Sequence, residues 1–69
     1  MKLSARNILK GTVVQINKGA VNTAVIIELP GGEKLVSVIT NTSVENLGLQ
    51  AGKTAYAIIK ASNIMVGVD

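Results

Sequence analysis

Cysteine and histidine are both absent from this chain of 69 residues, and their absence limits how so small a protein can be stabilised. A domain of this size buries only about 60% of the surface that its unfolded chain exposes. Disulfides or a structural metal usually compensate, but they need residues that this sequence lacks. Contacts between subunits remain, so the sequence predicts an oligomer.

The same absences argue against catalysis. General acid–base chemistry most often uses histidine, and nucleophilic mechanisms need a base beside a serine or cysteine. The four carboxylates are scattered along the chain, and no two of them have a spacing that suggests a metal or acid–base site. We therefore expect a protein that is not an enzyme and that coordinates no metal directly.

Aromatic side chains are nearly absent, since Tyr56 is the only one. Valine and isoleucine dominate the 48% hydrophobic content, and such β-branched residues favour strands over helices. A mean hydropathy of +0.44 is high for a domain with so small an interior. We expect a second chain to cover part of this apolar surface.

Long apolar runs are also missing. None approaches the roughly 20 residues that span a bilayer, and the stretch from Met1 to Asn7 becomes polar too early for a secretory signal. We expect a cytoplasmic protein with no membrane partner. Seven cations against four anions give a net charge of +3, which favours anionic partners.

Alternating apolar and polar residues predict three strands in the first part of the chain. Residues 10–18 form the first, with Thr12, Val14, Ile16 and Lys18 on its predominantly apolar face. Residues 21–29 form the second, with Val21, Thr23, Val25, Ile27 and Leu29 on one face. A reverse turn over residues 30–33, with proline followed by two glycines, joins it to a third strand over residues 34–40.

A change of period after the third strand predicts a short helix. Thr42 and Glu45 fit a capping box at its start, and Gly48 is placed to end it. Val44, Leu47 and Leu49 are expected to face the sheet. Residues 54–60 and 61–68 are then extended, so the pattern predicts an all-β, five-stranded Greek-key OB-fold barrel with one short helix between strands three and four, as a single domain over residues 1–69.

Two polar segments are candidate anion sites. The first is Ser4-Ala5-Arg6-Asn7, and the second is Lys60-Ala61-Ser62-Asn63, a polar island inside an apolar run. Arginine offers a planar fork to two oxygens, and charge-assisted hydrogen bonds are roughly twice as strong as neutral ones. Each segment alone also fits a simpler interpretation, a solvated terminus for the first and a bend at a barrel rim for the second. Together they carry enough positive charge to neutralise a dianion, and adjacent chains could supply them.

A third segment, Lys18-Gly19-Ala20-Val21, is a possible second oxyanion site. Glycine there could let backbone N–H groups converge on an anion beside the lysine. A plain hairpin turn explains the same residues.

Several short motifs, taken together, resemble one family of small proteins. The motifs are Ser4-Ala5-Arg6-Asn7, Leu9-Lys10-Gly11, Gly31-Gly32, Ser43-Val44-Glu45, Leu47-Gly48, Lys60-Ala61-Ser62 and Val66. In this combination the chain resembles the molbindin (Mop-type) proteins over essentially its whole length, and their fold is the transport-associated OB-fold.

The resemblance implies binding of molybdate and tungstate for intracellular storage and homeostasis of molybdenum, in the cytoplasm and without a further cofactor. It implies hydrogen bonds to the oxyanion at the interfaces of a hexamer built as a trimer of dimers, with no bond from the metal centre to the protein. The family's binding residues map onto Ser4, Ala5, Arg6, Asn7, Lys60, Ala61 and Ser62. The family's second kind of site, near the threefold axis, is expected at Lys18, Gly19, Ala20 and Val21.

Two alternatives remain open from the residues. A nucleic-acid-binding OB-fold would fit the net charge. Such proteins stack bases on aromatic side chains, however, and the presence of only one aromatic residue, Tyr56, argues against nucleic acid as a partner. An oligomeric interaction module that holds an anion only as a structural group would fit the apolar surface.

Overall fold

Four antiparallel strands and one short helix make up the chain, of which this computed structural model describes all 69 residues. The elements are β1 (Asn7–Lys18), β2 (Asn22–Glu28), β3 (Lys34–Thr40), the helix α1 (Asn41–Leu47), β4 (Thr54–Ile59) and a 3₁₀ turn (Ala61–Asn63). The strands form one curled sheet in the order β3-β2-β1-β4. The predicted all-β class with one helix after the third strand is confirmed.

The long strand β1 is the centre of the sheet, because its first half pairs with β4 and its second half with β2. A β-bulge between Val13 and Gln15 interrupts the second pairing. Val13 is fully buried, whereas Val14 is 39% exposed. The predicted apolar face containing Val14 is therefore wrong at that residue, since a bulge inserts an extra residue and changes which side chains face inward.

The hairpin from β2 to β3 follows the sequence prediction closely. Glu28 pairs with Lys34, and inside the turn the Leu29 amide donates to the Glu33 carbonyl at 2.7 Å. Thr23, Val25 and Ile27 are buried on one face of β2, as the alternation predicted. The face is shorter than expected, because Val21 lies exposed before the strand and Leu29 lies after it.

The helix α1 begins directly where β3 ends. Thr40 is its N-cap, because the Ser43 amide donates to the Thr40 hydroxyl at 3.1 Å, and the predicted capping role of Thr42 is wrong. Thr42 already lies inside the first helical turn, where its own backbone is helical. Gly48 ends the helix with a φ of 63°, a left-handed conformation that glycine adopts without a Cβ clash, as predicted.

The inward face of α1 is narrower than predicted. Val44 and Leu49 pack against the core, but Leu47 does not and is 67% exposed. No helix of the chain has the length and apolar character that crossing a membrane requires.

The predicted fifth strand is not formed. Residues 61–63 make the 3₁₀ turn, and residues 64–69 belong to no element. A strand needs a neighbour that takes up its backbone hydrogen bonds, and no strand of this chain pairs with this segment. Met65, Val66 and Val68 are each at least 90% exposed. The sheet therefore has four strands instead of five, with β3 and β4 as its two free edges.

The core of the single chain is very small. Its buried apolar side chains are Val13, Val25 and Ile27, with a ring of half-buried aliphatic residues around them. The accessible surface is 5357 Å², whereas a folded monomer of 7.1 kDa is expected to expose about 4,100 Å². The chain thus leaves far more surface uncovered than an independent domain of its mass does.

Candidate functional site

The pairing of β1 with β4 brings together the two polar segments from opposite ends of the sequence. Asn7 lies opposite Ile59 in the ladder, and the Asn7 side-chain amide donates to the Ile59 carbonyl at 3.3 Å. Residues 4–6 run into this end of the ladder, and residues 60–62 leave it. The first cluster therefore lies beside the second in the folded chain.

A surface groove of about 580 Å³ lies between the two segments, and we call it the terminal groove. It is lined by Ser4, Ala5, Arg6, Ile58, Lys60, Ala61 and Ser62. Six of the seven residues predicted for the main site line it. Asn7, the seventh, does not, and it instead fastens the start of β1 to β4.

The hydrogen-bond donors of the terminal groove are unused within the chain. The side chains of Ser4, Arg6, Lys60 and Ser62 make no intramolecular hydrogen bond. The backbone amides of the residues on both sides also donate none, namely those of Ser4, Ala5, Arg6, Lys60, Ala61 and Ser62. No carboxylate lines the groove, so two cations act there without a neighbouring acid.

The 3₁₀ turn explains why the amides of the second segment are free. The Asn63 amide donates to the Lys60 carbonyl at 2.9 Å, and the Ile64 amide to the Ala61 carbonyl at 3.3 Å. A helical turn leaves its first N–H groups without acceptors, because their partners would lie before the turn begins. The turn therefore leaves the Ala61 and Ser62 amides free at the groove.

The terminal groove is open on one side. Ser4, Arg6, Lys60 and Ser62 are all exposed, and only Ala5 among the polar-segment residues of the lining is half-buried. A water molecule takes about 30 Å³ of the liquid, so four oxygen atoms fill only a fraction of the groove. One chain therefore encloses the groove on one side only.

The third predicted segment forms the tight turn between β1 and β2. The Gly19 amide donates to the Asn22 carbonyl at 2.8 Å, which is a hairpin closure. Gly19 does not have a positive φ. Glycine is needed there because a Cβ would lie 2.8 Å from the Asn22 carbonyl oxygen. The structure does not bring this turn into the terminal groove, so the two candidate sites are separate.

Sequence reasoning missed two features of these sites. Ile58 lines the terminal groove, and the period of two along β4 could have shown that it shares a face with Lys60. Asn41 contacts the β1–β2 turn through its side chain, and no local pattern in the sequence indicates this. The chain has no cluster of histidine, cysteine or carboxylate side chains that could hold a metal ion.

Comparison with known proteins shows that the chain is similar to molybdenum-pterin-binding and molybdate-binding proteins. A model of the TOBE domain family matches residues 3–66. The chain is 54% identical over 69 residues to a probable molybdenum-pterin-binding protein of Haemophilus influenzae, covering 100% of both. It is similar to the solved structure of a molybdate-binding protein from Sporomusa ovata, with a TM-score of 0.92 and 38% identity over 99% of this chain and 100% of that one. It is also similar to the cytoplasmic molybdate-binding protein ModG with molybdate bound, with a TM-score of 0.96 and 51% identity, covering 100% of this chain and 49% of ModG.

Proposed function

Because the chain belongs to the TOBE-domain family and is of the molbindin (Mop) type, we propose that it binds molybdate and tungstate in the terminal groove and stores the oxyanion in the cytoplasm. The observation that carries the proposal is the meeting of two donor clusters, one from each end of the chain, in a groove without a carboxylate. Binding and storage are the whole of the proposed function, with no reaction.

The donors of the terminal groove suit a tetrahedral dianion. Arg6 and Lys60 together offer two positive charges, which match the charge of one molybdate. The Arg6 guanidinium can donate to two oxygens at once, while the hydroxyls of Ser4 and Ser62 and the free amides supply further hydrogen bonds. The anion would therefore be held by hydrogen bonds to its oxygens, without a bond from the protein to the metal centre.

A second subunit would close the open side of the terminal groove, and we propose a hexamer arranged as a trimer of dimers. The large exposed surface of the single chain supports an oligomer, because its excess over an independent domain exceeds the roughly 800 Å² that each partner buries in a standard interface. An apolar groove also runs between β3, α1 and β4, and Ile39, Leu49 and Ala55 are among the residues that line it. Another copy of the chain is the occupant that such a surface requires in this proposal.

The β1–β2 turn is proposed as a second oxyanion site in the assembled protein. Lys18 is exposed beside the turn, and neither the Ala20 nor the Val21 amide donates a hydrogen bond within the chain. Consecutive free amides beside a cation form a concave surface that favours an anion. The site would use backbone donors more than side chains.

Neither rival function has an observation of its own in its favour. A nucleic-acid-binding surface stacks bases on aromatic side chains, and Tyr56 is the single aromatic residue here. An interaction module with a structural anion predicts that the oligomer dissociates when the anion is removed. A store predicts an oligomer that stays assembled when empty, and sedimentation with and without molybdate separates the two.

The proposal is tested by calorimetric titration with molybdate in a large excess of sulfate, using the native chain, Arg6→Ala and Lys34→Ala. The native chain should bind molybdate despite the sulfate. Arg6→Ala should bind more weakly by about 1.5–3 kcal/mol, roughly 10- to 150-fold, because a charge-assisted partner is lost. Lys34→Ala removes the same charge on β3, outside the terminal groove, and should bind like the native chain.

Absence of heat from the native chain, or heat abolished by sulfate, would contradict the proposal. Equal weakening by the two substitutions would show that net charge, and not the terminal groove, attracts the anion.

A further inference from the structure

The turn between β1 and β2 is held by one residue from a distant part of the chain. The Asn41 side-chain amide donates to the Gly19 carbonyl at 3.0 Å and to the Ala20 carbonyl at 3.4 Å. The Asn41 backbone amide donates to the Val21 carbonyl at 2.9 Å. Three consecutive carbonyl groups therefore point toward a single residue.

This arrangement determines where the N–H groups of the turn point. A trans peptide is planar, and its C=O and N–H bonds point in opposite directions. No peptide bond in the chain is cis. Because the carbonyls of residues 19–21 face Asn41, the N–H groups of Ala20, Val21 and Asn22 face away from it. The turn thus has an acceptor side that Asn41 satisfies and a donor side that faces outward beside Lys18.

The orientation of Asn41 is itself set by Thr23. The Thr23 hydroxyl donates to the Asn41 Oδ1 atom at 2.6 Å, and Thr23 is almost fully buried. An amide side chain has its acceptor and its donor on opposite branches. Since Thr23 takes the acceptor branch, the donor branch of Asn41 is turned toward the carbonyls of the β1–β2 turn.

We propose that Asn41, oriented by Thr23, is the positioning residue of the second oxyanion site. Asn41 does not touch the anion in this scheme, and it acts by keeping the Ala20 and Val21 amides turned outward together. The inference rests on the proposed function and adds to it two residues that lie outside every donor cluster found in the sequence.

Loss of Asn41 should weaken anion binding at the turn while leaving the terminal groove intact. Without the side-chain donor, the peptide groups of the turn rotate more freely, and binding must then order them. Fixing the backbone of even one residue is enough to weaken binding about tenfold.

The test is a titration of the ¹⁵N-labelled protein with sodium molybdate, followed by the amide resonances of single residues. In the native chain the Ala20 and Val21 amides should shift on titration, as should those of Ala61 and Ser62. In Asn41→Ala the Ala20 and Val21 shifts should need at least about tenfold more molybdate. The Ala61 and Ser62 shifts should occur at the same molybdate concentrations as in the native chain. Asn46→Ala is the matched control, because Asn46 is exposed on the same helix and its side chain makes no hydrogen bond within the chain.

The inference would be overturned if the Ala20 and Val21 amides of Asn41→Ala shift at the same molybdate concentrations as in the native chain. Response at Ala61 and Ser62 but none at Ala20 and Val21 in the native chain would also overturn it, while leaving the proposed function standing. Silence at all four amides would refute the proposed function instead. If Asn41→Ala does not fold, Thr23→Val and Thr23→Ser give the same test, because only serine keeps the hydroxyl donor, and equal turn binding by the two would overturn the inference.

Discussion

At the scale of single residues, Gly11 shows what the central strand requires. It is buried in the part of β1 that pairs with β4, opposite Ala55. A Cβ at this position would lie 2.6 Å from the Glu28 carbonyl oxygen and 2.6 Å from the Ile27 Cγ2 atom. The missing side chain leaves room for the Glu28 carbonyl and for the buried Ile27 side chain.

Gly11→Ala is expected to destabilise the protein by about 1–3 kcal/mol, the range typical of overpacking a tight interior. The added Cβ would clash with the Glu28 backbone and with the buried Ile27 side chain, and moving either one would cost stability. Gly31→Ala is the control, because the Cβ there would meet only the flexible end of the Glu33 side chain. Urea unfolding measures both, and equal midpoints for the two variants would contradict the expectation.

The main site is also decided at the residue scale, and much of it could be predicted from the sequence. Arg6 and Lys60 stand out because each lies in a short polar segment, and hydroxyl side chains accompany both. Asn41 could not be predicted, because its partners Gly19 and Ala20 lie more than 20 residues away. Contacts over such distances depend on the folded topology and leave no local pattern.

At the scale of elements, the start of α1 distinguishes the structure from the sequence pattern. Thr40 caps the helix through the Ser43 amide, whereas Thr42 is exposed inside the first turn. The capping box around Thr42 is the stronger motif by sequence alone. The helix nevertheless starts earlier, because β3 runs into it without a loop.

Thr40→Ala is expected to lower the free energy of unfolding by about 1 kcal/mol, since an N-cap hydroxyl would be lost. Thr42→Ala should change it little, because no hydrogen bond of the Thr42 side chain is broken. Chemical denaturation followed by circular dichroism compares the two variants. A larger effect at Thr42 than at Thr40 would mean that the helix begins at the sequence-predicted position in solution.

The strands themselves were largely predictable, and the exception has a physical reason. Alternation and the glycine-rich turn predicted β2, β3 and the hairpin between them. Alternation failed at Val13, whose amide donates to the Lys53 carbonyl at 2.9 Å and whose carbonyl accepts from the Gly52 amide at 2.7 Å. The backbone at the bulge thus pairs with the turn at Gly52 and Lys53, about 40 residues later in the chain. The local sequence around Val13 does not indicate that pairing.

At the scale of the whole molecule, the chain is incomplete as an independent domain. Both sheet edges are unpaired, the core is small and the C-terminal apolar residues are exposed. The predicted fifth strand is also absent. Residues 64–69 are mostly apolar, but no strand lies beside them. Hydropathy and length predicted that so small a chain leaves much apolar surface for a partner to cover, and the oligomer stays a prediction; the sequence pattern also assigned the last segment a strand within the sheet, which is wrong.

Removal of residues 64–69 is expected to shift the proposed hexamer toward smaller species, because Met65, Val66 and Val68 are exposed apolar surface that the proposed subunit contacts would bury. The truncated chain keeps Lys60 and Ser62. Sedimentation velocity measures the change, and Val14→Thr, a substitution of an exposed valine on β1, serves as the control. A truncated protein that sediments like the full chain would show that the segment takes no part in assembly.

The meeting of the two ends of the chain in one groove has a thermodynamic consequence. Asn7 and Ile59, whose contact joins the two segments, are 52 residues apart, so an unfolded chain holds no site at all. A ligand that binds only the folded state adds its own binding free energy to the resistance against unfolding, by about 2.7 kcal/mol at a concentration one hundred times its Kd. With molybdate bound as proposed, proteases that act on unfolded chains would degrade the loaded protein more slowly than the empty protein. The concentration of the oxyanion would thereby regulate the lifetime of the protein that stores it.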